Sequence, residues 1–348
     1  MVEGAHGSPG IHTRPSLEYD GRRVEPMRGQ RGERDNEKLL AGIKNEKSGD
    51  GMGTPLVESY SKPAKDLVIT VSDANCGEFL AHHWLSSLER VIDRSRVDVA
   101  VVDYGLTPAQ RALLGSRNVI LWQGGRDGHV TSLRLRDIAA FLSGHPYDQV
   151  MVVDGGDLIF QDAFMDMFAR SPDRIRGVCE TNYTIDFKRL FLRGFFKPSL
   201  EPDIRGVLRG RTPINTGLLI GPAAVLERCF SEAFCMIQDR SKWGPDMVAL
   251  NYILHRDGFV PIEETYNCVI TTARSGFRIR QGRFYFPDGS LIKIVHNAGY
   301  KSFFRIIGRF GLGESCNRIR RVRHILLRSF GKVCRISRSL QDVLANDR

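Results

Sequence analysis

The sequence predicts an α/β protein built on a mixed, mostly parallel sheet flanked by helices. Short continuous apolar runs alternate with segments of helical spacing between residues 66 and 154. These runs lack the in–out alternation of a half-exposed strand, so they fit strands covered on both faces. Asp73, Asp103 and Asp154 recur at or just past the carboxyl ends of such runs, where open α/β sheets gather ligands.

Each element follows from local pattern. "DLVIT" (66–70) reads as a buried strand running into a polar loop with Ser72, Asp73 and Asn75. "EFLAHHWLSSLERVI" (78–92) spaces Phe79, His83/Trp84, Leu88 and Val91 as one helical face. "VDVAVVDYG" (97–105) is a second strand, "PAQRALLG" (108–115) a helix closed by Gly115, and "NVILW" (118–122) a third strand. "VTSLRLRDIAAFL" (130–142) is a helix and "QVMVVD" (149–154) a fourth strand. A helix near 162–170 and a strand near 176–180 come next, then an Arg-rich stretch, 186–211, with no clear period. "INTGLLIGP" (214–222) reads as strand then turn. Helices follow over 223–238 and 246–258, the latter ended by Gly258, and "LIKIVHNAG" (291–299) is a late strand.

Composition bounds the rest. The 348 residues are 42% hydrophobic, enough for a substantial core. No stretch approaches the roughly 20 apolar residues of a membrane span, and the N-terminus lacks an apolar signal core, so a cytoplasmic address is expected. Seven scattered cysteines, none in a C-x-x-C pair, suit reduced thiols. Residues 1–62 are polar, Gly-rich and aperiodic, and are expected to be disordered. A core domain over 63–304 and a basic tail over 305–348 complete the expected organisation. From Lys301 to Arg348 twelve Lys/Arg face three Asp/Glu, so nearly all of the net +10 sits there. Charge confined to one end, with few interleaved aromatics, argues against a nucleic-acid-binding protein.

Four motifs could carry chemistry. In "VMVVDGGDLIF", a buried strand ends in Asp154 and Asp157 separated by Gly155 and Gly156. Two carboxylates on a rigid strand end could hold a hard divalent cation. The glycines tolerate positive φ, could curl both acids toward one ion, and leave space for a bulky ligand. A Gly-Gly turn with solvated acids fits the pattern equally well. His296 ends another strand and is a suitable third ligand for a Mn²⁺-like ion, although a lone His is more often structural. Asn215 and Thr216 stand beside Gly217, and Asp246 opens a helix, where an acid also suits the helix dipole.

In their order along the chain these motifs resemble the GT-A glycosyltransferases. The similarity is greatest to the retaining family-eight enzymes, which include lipopolysaccharide galactosyltransferases and glycogenin. The resemblance spans about residues 66 to 304. Asp154–Asp157 stands where the family has D-x-D, with a gap of two residues instead of one. Asn215-Thr216-Gly217 matches N-x-G. Asp246, Leu250 and Asn251 match D-Q-D-x-L-N, with Val248 replacing the second acid. His296 and Gly299 match H-x-x-G-x-x-K-P-W, with Lys301 one residue early and no Pro-Trp.

The resemblance implies a GT-A-like fold and transfer of a sugar from a nucleotide-sugar donor, a UDP-sugar by analogy, to a glycan or glycolipid. Asp154, Asp157 and His296 would hold Mn²⁺ or Mg²⁺, and Lys301 would add a cation to the same diphosphate. Ser72, Asp73, Asn75 and Asp103 would bind base and ribose. Arg134 would lie near the donor sugar, with Gly155, Gly156 and Gly299 lining the donor. Asn215, Thr216 and Asp246 would bind donor or acceptor hydroxyls. Asp154, Asp157, Asp246 and Asn215 are the residues expected to carry the reaction. No residue stands out as a strong nucleophile, which suits retention without one. A catalytically inactive transferase-like scaffold would share these features. A sugar nucleotidyltransferase or a dinucleotide oxidoreductase would need a glycine-rich loop after the first strand, and "VSDANCGEF" lacks it.

Beyond the core, Ile319, Val322, Ile325/Leu326, Phe330, Val333 and Ile336 recur at helical steps among eight Lys/Arg, with no acid from Asn317 to Ser339. This pattern predicts an amphipathic cationic helix over about 317–340, suited to an anionic membrane surface. A helix packed on the core with a solvated charged face is the other reading. Full-length protein is expected to float with liposomes rich in anionic lipid, and a chain lacking 317–348 to remain behind; equal flotation of both would refute the membrane role.

Overall fold

A computed structural model describes residues 65–180, 194–273, 275–299 and 305–320 of the chain. All of these fall in one compact unit, Ser61–Arg348. The expected disorder of 1–62, the role of Lys301 and the tail beyond residue 320 lie outside the described residues.

A seven-stranded sheet has the order β3-β2-β1-β4-β7-β6-β8. Its strands are β1 (Asp66–Ser72), β2 (Val97–Asp103), β3 (Ile120–Gln123), β4 (Gln149–Val153), β6 (Arg176–Cys179), β7 (Ile214–Pro222) and β8 (Val260–Pro261). β3, β2, β1 and β4 pair in parallel, as the buried runs predicted. β7 runs antiparallel to both β4 and β6, so the sheet is mixed.

The two-residue period of the strands divides the core into two layers. Leu67, Ile69, Ala100, Val102, Val150 and Val152 point to one side. There they meet helices α3 (Val130–Ser143), α6 (Ala223–Met236) and α7 (Pro245–Asp257). Val68, Val99, Val101, Met151 and Val153 point to the other side, against α1. That helix starts at Ala74–Phe79, passes through a π-helical stretch, Leu80–Leu85, and ends at Ser86–Leu88. The shorter helices are α2 (Pro108–Ser116), α4 (Asp166–Ala169) and α5 (Glu201–Leu208). The last lies in the Arg-rich stretch whose sequence showed no period. Helix α2 runs one residue past Gly115, and Asn118 takes the left-handed turn that follows, at φ 54°.

A second sheet positions the site. β5 (Leu158–Phe160) pairs antiparallel with β12 (Ile294–His296), which pairs in parallel with β9 (Cys268–Val269). Leu158, Phe160 and Ile294 join the α1 side of the main core, while Ile159 and Val295 face a small third core with Phe284, Ile292, Ile306 and Ile307. Helix α1 is tied to this sheet. The Ser87 hydroxyl accepts from Phe160 N–H at 3.0 Å, and the Trp84 ring packs edge-on against Phe160.

Residues 305–320 belong to the same body, so the domain boundary expected after 304 moves. Ile306 and Ile307 are buried, and β13 (Ile307–Gly308) pairs with β14 (Arg318–Ile319). The helix expected from 317 is therefore not what its first residues form. Asn317 sits at φ 64°, its amide donating to the carbonyls of Gly282 and Gly311, and a left-handed residue between short strands cannot begin a helix there. Between β10 (Arg278–Arg280) and β11 (Arg283–Tyr285), Gln281 and Gly282 supply the positive φ of a tight hairpin. Among the described residues no helix is long and apolar enough to cross a membrane.

Trp84 is fully buried against the strand that fixes the site. Trp84→Ala is expected to cost about 3–5 kcal/mol, read as a lower denaturant midpoint, with weaker divalent-ion binding because β5 loses its support.

Candidate metal centre

Strand β4 ends at Val153, and its ladder with β7 extends one bond further, from Asp154 N–H to the Gly217 carbonyl at 2.8 Å. The chain then turns through Gly155 and Gly156 into β5. Neither glycine has positive φ, which corrects the reason expected for them. They are needed for close approach. A Cβ on Gly155 would lie 2.6 Å from Thr70 Oγ1 and 3.0 Å from the Val71 carbonyl oxygen, and one on Gly156 would lie 2.9 Å from Cys76 Sγ. The space beside them is filled by β1 and α1.

Register brings the third residue in. His296 is the pairing partner of Leu158, the residue after Asp157, and Asn297 N–H donates to the Asp157 carbonyl at 2.8 Å. A slip of one residue would turn His296 to the opposite face. As paired, ligand atoms of Asp154, Asp157 and His296 all lie within 4.8 Å of one another. His296 Nε2 is 3.5 Å from Asp154 Oδ2 and 3.3 Å from Asp157 Oδ1.

The residues fit a hard divalent ion. Two carboxylates and one imidazole form a suitable donor set. His296 is 1% exposed, yet its Nε2 has no hydrogen-bond partner, a costly state for a buried polar atom unless a ligand satisfies it. The other ring nitrogen, Nδ1, is 3.1 Å from Asn267 Oδ1. Asn267 Nδ2 in turn donates to Asn215 Oδ1 at 2.9 Å, which leaves Asn267 Oδ1 as the acceptor for an Nδ1–H. Nε2 is then the nitrogen that would turn its lone pair toward a bound cation, as in a metal-bound histidine. Gly217 keeps the space open: a Cβ there would fall 2.5 Å from His296 Cε1 and 2.6 Å from Asp154 Oδ2.

A second shell holds the acids. Arg134, almost wholly buried on α3, donates from Nη1 to Asp154 Oδ1 at 2.6 Å and from Nη2 to Asp246 Oδ2 at 2.9 Å. Arg134 Nη2 also lies 3.4 Å from the Thr216 carbonyl. Burial pushes Asp154 up, but the Arg134 charge and His296 outweigh it and hold the carboxyl down at about 2. Burial dominates at Asp246 and raises it. At His296 burial opposes the proton, yet the negative charge of Asp157 and Asp154 pushes the imidazole up to about 10 while no cation is bound.

The sequence-derived candidates divide into two groups. Asp154, Asp157, His296, Arg134, Asp246, Asn215 and Thr216 come together, with Arg134 beneath the carboxylates. The Gly299 carbonyl accepts from Arg305 Nε at 3.3 Å. At the ends of β1 and β2, side chains are occupied by local structure. Asp73 caps α1, accepting from Asn75 and Cys76 N–H, and Asn75 Nδ2 bonds back to Asp73. Ser72 bonds the Asp73 carbonyl at 3.3 Å. Asp103 is buried, accepting from Gly105 and Leu106 N–H and from Arg111. Sequence reading missed Asn267, Arg305 and Glu180, whose carboxylate accepts from Asn215 Nδ2. None carries a local signal, because each acts through a partner distant in sequence.

No family model matches the chain, and no curated protein matches it. Solved structures to which it is similar include two glycosyltransferases. One is the galactosyltransferase LgtC, solved with donor and acceptor sugar analogues, at 14% identity over 67% of this chain and 87% of that chain, with a TM-score of 0.42. The other is the bifunctional glycosyltransferase WbbM, at 12% identity over 73% of this chain and 48% of that chain, with a TM-score of 0.43. The chain thus spans about half of WbbM.

Gly217→Ala is expected to weaken Mn²⁺ binding by at least about tenfold, the scale of second-shell metal-site defects, because the methyl group occupies the position of His296 and Asp154. Isothermal titration with Mn²⁺ on wild type and variant checks it.

Proposed function

We propose that this chain is a metal-dependent glycosyltransferase that moves a sugar from a nucleotide-sugar donor to a glycan or lipid-linked acceptor with retention of configuration. The observation that carries the reading is the convergence of Asp154, Asp157 and the unpartnered Nε2 of His296 at the ends of two strands.

The residues act as follows. Asp154, Asp157 and His296 would hold Mn²⁺ or Mg²⁺, which would supply Lewis-acid stabilisation of the charge that develops on a departing diphosphate. Arg134 fixes the Asp154 rotamer and keeps it ionised, so the site is formed before the donor arrives. Asn267 orients His296 and is itself oriented by Asn215, which Glu180 anchors. Asp246 and Glu180 are engaged by Arg134 and Asn215. Neither is a free nucleophile, in keeping with a retaining reaction that needs none. A UDP-sugar is the proposed donor on the strength of the motif order. The cationic stretch after residue 317 supports peripheral attachment to the inner face of a membrane.

A panel of nucleotide sugars with Mn²⁺ tests the proposal. Binding and slow hydrolysis of at least one donor are expected only with the metal present. Asp154→Asn keeps the volume and an acceptor for Arg134, and is expected to lower donor turnover by more than about 100-fold while the far-ultraviolet spectrum is unchanged. Metal-independent donor binding, or full activity of Asp154→Asn, would refute it.

A further inference from the structure

We infer that Arg305 is the residue that takes the terminal phosphate of the donor diphosphate; this rests on the proposed transferase reading and names a side chain that lies outside its motifs. Asp157 is a bridge. Its Oδ1 faces His296 Nε2 at 3.3 Å, and its Oδ2 accepts from Arg305 Nη2 at 2.8 Å. The guanidinium therefore stands one carboxylate away from the cation site.

Exposure gives the direction of approach. The side chains of His296 and Asp157 are 1% and 12% exposed, whereas that of Arg305 is 37% exposed and that of Asp154 33%. Arg305 and Asp154 thus form the open rim of the cluster, and a ligand reaching the ion passes the guanidinium.

Arg305 is also held in place from both sides. Its Nε donates to the carbonyl of Gly299, three residues past His296. The next two residues, Ile306 and Ile307, are buried in the third core. Two of its five N–H groups are thus directed at Gly299 and Asp157. The remainder have no partner among the described residues and can present a planar fork to phosphate oxygens.

Charge favours the same ligand. Asp154, Asp157 and Asp246 face Arg134 and Arg305, so with His296 in the neutral form that a ligand requires the side chains sum to one negative charge. A divalent ion turns this into one positive charge, and only then does the rim attract a diphosphate. Binding of metal before nucleotide follows from the same count.

The test compares wild type, Arg305→Gln and Arg305→Lys as full-length proteins, by calorimetry with Mn²⁺ alone and then with UDP and UMP at saturating Mn²⁺. Loss of one charge-assisted contact corresponds to at least about a tenfold fall in affinity. Arg305→Gln is expected to lose that much for UDP, clearly less for UMP, and to bind Mn²⁺ as well as wild type or better. Arg305→Lys is expected to recover part of the UDP affinity. Unchanged UDP affinity in Arg305→Gln would overturn the assignment, as would a parallel loss of Mn²⁺ binding, which would mean that Arg305 only shapes Asp157. A wild type that binds Mn²⁺ but neither nucleotide would remove the transferase reading and this assignment together.

Discussion

The site depends on one buried cation of the protein's own. Arg134 has almost no access to water, and its two bonded carboxylates come from the end of β4 and the first turn of α7. Removing a partner from such an arrangement typically costs about 3–5 kcal/mol, because the remaining charge is left unpaired in a medium that solvates it poorly. The Arg134 bridge thus makes the relative placement of α3, α7 and the β4 terminus a single condition. It also lets acids approach one another where mutual repulsion would otherwise force one to take up a proton.

Much of this could be seen in the residues alone, and the reasons differ by element. Strands β1, β2 and β4 were legible because both of their faces are largely buried, so their sequences are continuous apolar runs. Helices α3, α6 and α7 announced themselves by period. The short strands β5, β9 and β12 have only two or three residues each, too few for any period to register, yet β5 and β12 bring Asp157 and His296 together at the candidate metal centre. Asp154, Asp157 and His296 were recognisable because strand ends carrying ligand-type side chains are unusual. Asn267 and Arg305 were not, because an amide or a guanidinium that works through a neighbour has no local signature. Asp73 and Asp103 have a local role that the sequence reading did not give them. Their position at strand ends suggested ligand binding, and they also accept from backbone N–H groups of the following turns.

The glycines carry a similar lesson about mechanism. Sequence reasoning assigns Gly155 and Gly156 to conformational freedom, the usual service of that residue. Their backbones are ordinary, and what matters is the missing side chain, because β1 and α1 press directly on the loop. Gly217 plays the same part from the other side, under His296. Gly155 and Gly156 thus let β1 and α1 close on the loop, and Gly217 alone keeps space beside His296 and Asp154.

The reversal of β7 in an otherwise parallel neighbourhood has a consequence for how tolerance to change is distributed. In a uniformly parallel sheet, only the final residues of each strand reach the functional edge. Because β7 runs the other way, its opening residues, Asn215 to Gly217, lie beside the last residue of β4, while Ile220 sits in the hydrophobic interior. Along this single strand, sensitivity to substitution should pass from chemical to purely steric within about one strand length.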